Sequence, residues 1–246
     1  MNNMSQNKIH IVKKNKEFKF FKIACMGIGA IFCVFGIGYF SHKYMGSGVW
    51  ETMPESGDVQ AFRMKVSGSN IVKYKGAIRV HGSLTNITRF MMDPSTCDDV
   101  GCFDYHVLSS DGSNIRYMSF VYDYYPFDKR QFVVKMEVKQ DPVTKVVEIS
   151  IAADPNRIPL DRCCVRVPYM NNIWNLKPLG KGDVEISVVN DMDAGGLIPF
   201  FLSNYFRGEA IYGTVARTKG LIEGSKFKSK YIDNAESLSF IEEPGS

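Results

Sequence analysis

Asp193 to Ile222 reads DAGGLIPFFLSNYFRGEAIYGTVARTKGLI, and the rest of the chain is arranged around it. Asp193, Gly195 and Gly196 spell a turn, because glycine reaches positive φ without steric cost. Pro199 follows within the first turn of a helix, where its missing N–H is no loss. Leu197, Phe201, Tyr205, Tyr212, Val215 and Ile222 then recur at steps of mostly three or four. This spacing predicts one apolar stripe on a helix of about 20 residues, roughly 30 Å long. Arg207, Glu209, Arg217 and Lys219 fall mostly off the stripe. Such a helix either closes a core or forms a lid over a ligand cavity, and the stripe alone does not choose.

Composition narrows the class. Of 246 residues, 45% are hydrophobic and 23% charged, the proportions of a globular chain. With the N-terminal 49 residues and the polar end set aside, about 175 residues remain, enough for one domain with a real core. Much of the formal charge of +4 sits in the N-terminal arm. No basic patch is interleaved with aromatic residues, so nucleic acid is not an expected partner. No repeat at solenoid spacing is present.

The N-terminus carries a separate signal. Lys8, Lys13, Lys14, Lys16, Lys19 and Lys22, offset only by Glu17, precede an uncharged run from Ile23 to Phe40. About 18 residues is the lower end of a bilayer span and exceeds the core of a cleaved signal peptide. Gly-Ser-Gly at 46–48 resembles a cleavage site but lies well past the run. A retained signal anchor is therefore expected. The basic flank should stay in the cytoplasm and send the rest to the periplasm or cell exterior. The expected organisation is a basic arm (1–17), a transmembrane anchor (18–40), a linker (41–49), a domain (50–222) and a polar, partly disordered tail (223–246). The linker reaches only about 30 Å when extended, which holds the domain against the membrane.

Within the domain, Trp50 to Asp58 is polar and is expected to open with a short helix. Gln60–Val66 and Ile71–Arg79 alternate about the turn Gly68-Ser69-Asn70, a β-hairpin signature. Ser83–Met92 reads as a helix capped by Ser83 or Thr85. Phe103–Leu108 and Asn114–Tyr125 are strand-like. Arg130–Lys139 is the cleanest alternation, with Phe132, Val134, Met136 and Val138 on one face. Val146–Ala152, Cys163–Val167, Ile173–Leu176 and Val184–Met192 follow. Seven to nine antiparallel strands with one apolar face, then a long helix, make an α+β domain whose sheet curls around its closing helix.

Three segments, in this order, resemble the START (steroidogenic acute regulatory protein-related lipid-transfer) domains, in particular as a bacterial-type membrane-anchored member. Tyr125-Pro126 through Arg130-Gln131-Phe132-Val133 is similar to the family's proline followed by an Arg-Asp-Phe-Val strand. Val165-Arg166-Val167 with Trp174 and Pro178 is similar to its VRV…W…P segment. Asp193-Ala194-Gly195-Gly196-Leu197-Ile198-Pro199 with Asn204 is similar to its entry to the last helix. Ala194 replaces the usual proline. Gln131 stands where the family usually has aspartate, which puts the usual local charge pairing in question. The resemblance covers Trp50 to Ile222. It implies a helix-grip fold with a tunnel for one lipid, such as a sterol or phospholipid, and no chemistry. A lipid sensor or scaffold without transfer, or a polyketide-cyclase-like enzyme, are the alternatives. A protein lipid donor or acceptor is a further possible partner.

Under this resemblance the expected lining includes Arg130, Phe132, Val134, Met136, Val147, Ile149, Val165 and Val167. Tyr169, Trp174, Asn190, Met192, Ile198, Phe201 and Tyr205 complete it. The apolar members are equally consistent with an ordinary core, since burial stabilises a side chain by a similar amount whether its neighbour is protein or lipid. Arg130 shares the apolar face of its strand, and a buried charge needs a partner. Asp123 and Asp104 are the candidates. Arg130→Leu is on this reading expected to lose lipid more than stability. The proline-bearing loop Asp154–Asp161 is the expected gate. Cys97 and Cys102 are expected to form a disulfide on the oxidising side of the membrane. Cys163 and Cys164 are read as structural, pointing to opposite faces of a strand. No catalytic motif, metal site or cofactor signature is present.

Overall fold

The structure, a computed structural model, describes residues 26–30, 32–112, 114–232, 238 and 240–244. These fall into two compact units. In the first, a helix α1 (residues 26–44, less 31) meets the turn at 67–70. There the Gly68 N–H donates to the Lys43 carbonyl and Asn70 Nδ2 to the Tyr39 hydroxyl, both at 2.9 Å. The basic arm and residues 18–25 and 31 of the expected anchor lie outside the described residues. No helix among the described residues is long and apolar enough to cross a membrane.

In the second unit, alternation becomes strands. They are β1 (Glu51–Thr52), β2 (Gln60–Lys65), β3 (Val72–His81), β4 (Cys102–Asp111), β5 (Ile115–Tyr124) and β6 (Phe127–Gln140). Then come β7 (Val147–Ala153), β8 (Val165–Arg166), β9 (Tyr169–Gly180), β10 (Asp183–Asn190) and β11 (Met192–Asp193). Nine run in the antiparallel order β1-β2-β3-β10-β9-β7-β6-β5-β4; β8 lies parallel beside β6 and β11 pairs with β9. The expected short helix after Trp50 is strand β1 instead, paired with β2 through Glu51 and Arg63.

Two helices flank the start of β4. Ser83 caps α2 (Leu84–Met92) by accepting the Asn86 N–H at 3.1 Å. A short α3 (Cys97–Val100) follows, and the Cys97–Cys102 disulfide joins it to β4. The long helix α4 (Phe200–Ile222) has Pro199 as its N-cap.

The stripe on α4 is not the one the apolar residues suggest. Asn204, Arg207, Gly208, Ile211, Val215, Thr218 and Ile222 are buried, again at steps of three and four. This face shares Val215 and Ile222 with the expected one but is centred about 55° round the helix from it, at roughly 100° per residue. Leu197, Phe201 and Tyr205 are 100%, 69% and 62% exposed. Glycine explains the difference. A Cβ on Gly76 of β3 would stand 2.9 Å from Val215 Cγ2 and 3.0 Å from Ile211 Cγ1. A Cβ on Gly208 would stand 3.0 Å from the Tyr74 ring. The helix is drawn onto β3 where side chains are absent, and the faces that meet there are buried whatever their polarity. Gly76→Val should therefore destabilise the domain by about 1–3 kcal/mol, since a stiff β-branched side chain must displace Val215. Thermal unfolding measures this.

The chain beyond Ile222, read as a polar tail, is in part built into the fold. Helix α5 (Ser225–Phe227) runs into a π-helical turn (Lys228–Ile232), and Phe227, Tyr231 and Ile241 are buried. Phe227 and Tyr231 each stand 5.7 Å from Phe90 of α2, edge-on. Glu243 accepts the N–H groups of Leu84 and Thr85 at the start of α2. Burial alone would raise the Asp93 carboxyl, but bonds from Lys230, Ser95 and Tyr231 outweigh it and hold it at about 2. The tail thereby fixes α2, and α2 forms one wall of the site.

Candidate functional site

On the side away from β3, α4 stands clear of the sheet and leaves a cavity of about 540 Å³. Inward-facing positions of β5 (Phe120, Tyr122, Tyr124), β9 (Met170, Asn172, Trp174) and β10 (Val188, Asn190) line it. Phe132, Ile151 and Met192 complete the sheet wall. Phe120 and Phe132 stack at 5.1 Å with 12° between planes, and Tyr122 meets Phe132 edge-on. Phe90 and Met91 of α2, Val100 of α3 and Thr96 between the two helices form the opposite rim. Ala210, Gly213, Thr214 and Arg217 of α4 are exposed and line the mouth; Arg217 Nη1 donates to the Val100 carbonyl at 3.1 Å.

The inner end is polar and centres on Arg207, 6% exposed. Its Nε donates to Asn190 Oδ1 at 2.9 Å, and Nη2 donates to the carbonyls of Val72 at 2.9 Å and Asn190 at 3.2 Å. The guanidinium also lies 5.6 Å from the Tyr74 ring centre. Burial draws its pKa below the ordinary value. Burial likewise pushes the Tyr122 phenol up to about 12, and raises that of Tyr124 against the nearby Arg207 and Arg130 charges. Both phenols are thus neutral in the physiological range.

Of the residues expected to line a tunnel, Phe132, Trp174, Asn190 and Met192 line this cavity. Val134, Met136, Val147, Ile149 and Val167 are buried in the surrounding core, and Val165 and Ile198 are half-buried outside the lining. Tyr169, Phe201 and Tyr205 are exposed. Sequence reasoning set Arg207 aside and did not single out Asn172, Tyr122 or Tyr124. Counting back from Ile222 through Thr218, Val215 and Ile211 in steps of four, three, four and four lands on Arg207. That count was the available signal. Asn172 shares the parity of Trp174.

Arg130 takes neither expected carboxylate. Asp123 stands 4.0 Å from Lys129, and Asp104 pairs with His106 at 3.0 Å. At 1% exposure, Arg130 instead donates to the carbonyls of Ala194 (3.0 Å), Gly195 (3.2 Å) and Asp128. Main-chain oxygens of the Ala194-Gly195 turn replace the ion pair, and Gly196 (φ 70°) lets the turn pass within reach. Arg130 therefore sets the entry of α4 and does not line the cavity.

The expected gate lies elsewhere too. Tyr117 has the opposite parity on β5 from the cavity-lining Phe120 and Tyr122, and Arg157 stacks on its ring at 3.4 Å. Arg166 donates to Gln131 Oε1 at 3.0 and 2.8 Å and to the carbonyls of Pro155, Ile158 and Pro159. The loop thus covers the outer face of β6, and none of its residues lines the cavity. Cys163 and Cys164, expected within a strand, are joined to each other in the turn before β8. Gln131 meets Arg166 as a neutral acceptor.

No protein-family model matches the chain. An uncharacterized protein of Pseudomonas aeruginosa is 25% identical over 174 residues, covering 70% of this chain and 84% of that one. The crystal structure of a STAR-related lipid transfer protein (fragment 25–204) from Xanthomonas axonopodis superposes with a TM-score of 0.66 at 18% identity. It covers 72% of this chain and 100% of that one. Human StAR-related lipid transfer protein 5 gives 0.62 at 14% identity, over 76% and 92%. The chain has the START fold: a curved antiparallel sheet with a long C-terminal helix.

Proposed function

We propose that this protein binds one lipid non-covalently in the cavity between α4 and the sheet, and carries it to or from a membrane. The carrying observation is a cavity of about 540 Å³ whose walls are aromatic and aliphatic and whose inner end is polar. That volume lies within the roughly 300–1,000 Å³ of small-molecule sites. It suits a single acyl chain or a ring system better than a two-chain phospholipid. The START fold and the lipid-transfer proteins that share it support the reading. Native mass spectrometry of protein purified from its host is the test. A mass excess of one lipid per chain is expected; a bare chain that also takes up no lipid from vesicles would remove the proposal.

A membrane is the natural source and destination. The lysine-flanked run from Ile23 to Phe40 supports a tether in the sequence. Leu197, Phe200, Phe201, Tyr205 and Phe206 leave an exposed apolar patch around the start of α4. Leu197→Asp with Phe201→Asp should cut vesicle association of a fragment spanning residues 47–246 by about tenfold or more, each losing burial of one large side chain. Because both side chains are exposed, the melting temperature should hold. Co-sedimentation with liposomes reads the effect.

A further inference from the structure

Resting on the reading of this cavity as a lipid site, we infer that the lipid is an acid, its carboxylate or phosphate held head-first at the inner end by Arg207, Asn172 and Tyr124.

The unused hydrogen-bonding capacity there is of one kind. Guanidinium has five N–H groups and no acceptor. Four find oxygens, the weakest being Nη1 to Asn204 Oδ1 at 3.5 Å. Asn172 Oδ1 accepts Asn190 Nδ2 at 3.3 Å and the Asp191 N–H at 3.1 Å. A main-chain N–H demands an acceptor, so this contact fixes which end of the Asn172 amide is oxygen. The Asn172 NH₂ then has no acceptor among the described residues and belongs to a cavity-lining side chain. The Tyr124 hydroxyl lines the same space without a partner among the described residues. Spare N–H and O–H groups around a buried cation call for an oxygen acceptor carrying negative charge.

No carboxylate among the described residues fills that role. Asp191 is buried close by, but its Oδ2 is held by Lys73 Nζ at 2.8 Å and by the Tyr169 hydroxyl at 2.8 Å. Asp193 Oδ1 accepts the Gly195 N–H at 2.9 Å. A neutral hydroxyl on the ligand would satisfy one donor and leave the charge with only the Coulombic pull of Asp191 and Asp193, whereas an acid supplies both an acceptor and a charge. The apolar walls between Arg207 and the mouth would then receive the tail.

The test compares heads on one tail. Palmitic acid, hexadecanol and a palmitoyl lysophosphatidic acid are titrated into the full chain in detergent by displacement of a fluorescent probe. One or both acids should bind at least about tenfold more tightly than the alcohol, the scale of a charge-assisted pair. The stronger acid tells whether a free carboxylate or a lipid phosphate is the natural head. In Arg207→Gln and Asn172→Leu affinity for the acids should fall several-fold more than affinity for the alcohol, so the preference for acid shrinks. Should Arg207→Gln fail to fold, the wild-type comparison and Asn172→Leu still decide. Alcohol or cholesterol bound as tightly as the acids overturns the acid assignment and leaves the lipid site standing. Failure of every amphiphile, sterol included, overturns the site itself.

Discussion

Ala210→Leu combined with Thr214→Leu should abolish ligand binding while leaving the fold as stable as before or slightly firmer. Both residues stand one turn apart on the side of α4 that faces the cavity, and both are exposed. Gly213 between them has open space where a Cβ would be. The only side-chain bond lost is that of Thr214 Oγ1 to the Ala210 carbonyl in its own helix. Leucine is as good a helix former as alanine to within a few tenths of a kcal/mol, and better than threonine. Each new side chain also removes apolar surface from water, at about 25 cal/mol per Å². Two added isobutyl groups occupy the space a ligand needs, so affinity should fall by at least about tenfold, or 1.4 kcal/mol. Lipid titration and thermal unfolding of the same sample give both numbers. Undiminished binding would place the ligand somewhere other than this cavity.

Arg130→Leu should do the reverse and break the fold before it touches the site. Three main-chain carbonyls lose their donors in a place that water reaches poorly. An unsatisfied buried group costs about 1–3 kcal/mol, so a total of roughly 3–5 kcal/mol is expected. For a domain of this size that is a fall of about 6–20 °C in melting temperature. Arg130→Lys should recover only part, because an ammonium cannot span the Ala194-Gly195 turn as a planar fork does. At a temperature where the variant is folded, lipid affinity should equal that of wild type. A stable Arg130→Leu that fails to bind would return Arg130 to the ligand.

The sheet was legible because a strand writes its two faces into alternate residues. Phe132, Val134, Met136 and Val138 announce β6, and Ile149 and Val147 announce β7. The turn at Gly195-Gly196 was legible because few residues tolerate its backbone angles. The face of α4 was not, since its inward side carries Arg207, Asn204, Gly208 and Thr218 while Phe201 and Tyr205 face out. Apolar spacing ranks side chains by oiliness. The structure ranks them by where glycine lets helix and strand approach. The cavity was beyond periodicity for a related reason: Val134 and Phe132 share a face, yet only Phe132 looks onto empty space. Cys163 and Cys164 misled because adjacency suggests opposite faces only if the segment is a strand, and here it is a turn.

The fastenings around this site share one electrical trait. Arg130 grips carbonyls, Arg166 grips Gln131 and carbonyls, and Arg207 grips asparagines and carbonyls. None of these oxygens takes up a proton between neutrality and mild acid, and guanidinium does not release one. Gln131 matters most here, since an aspartate in its place would let go of Arg166 once protonated. In the surface pairs Arg79–Asp183 and Lys145–Glu242 the basic partner draws the carboxyl below its ordinary value, so these too hold in mild acid and give way only in stronger acid. The entry of α4 and the polar end of the cavity are thus fastened by contacts that acidity does not switch.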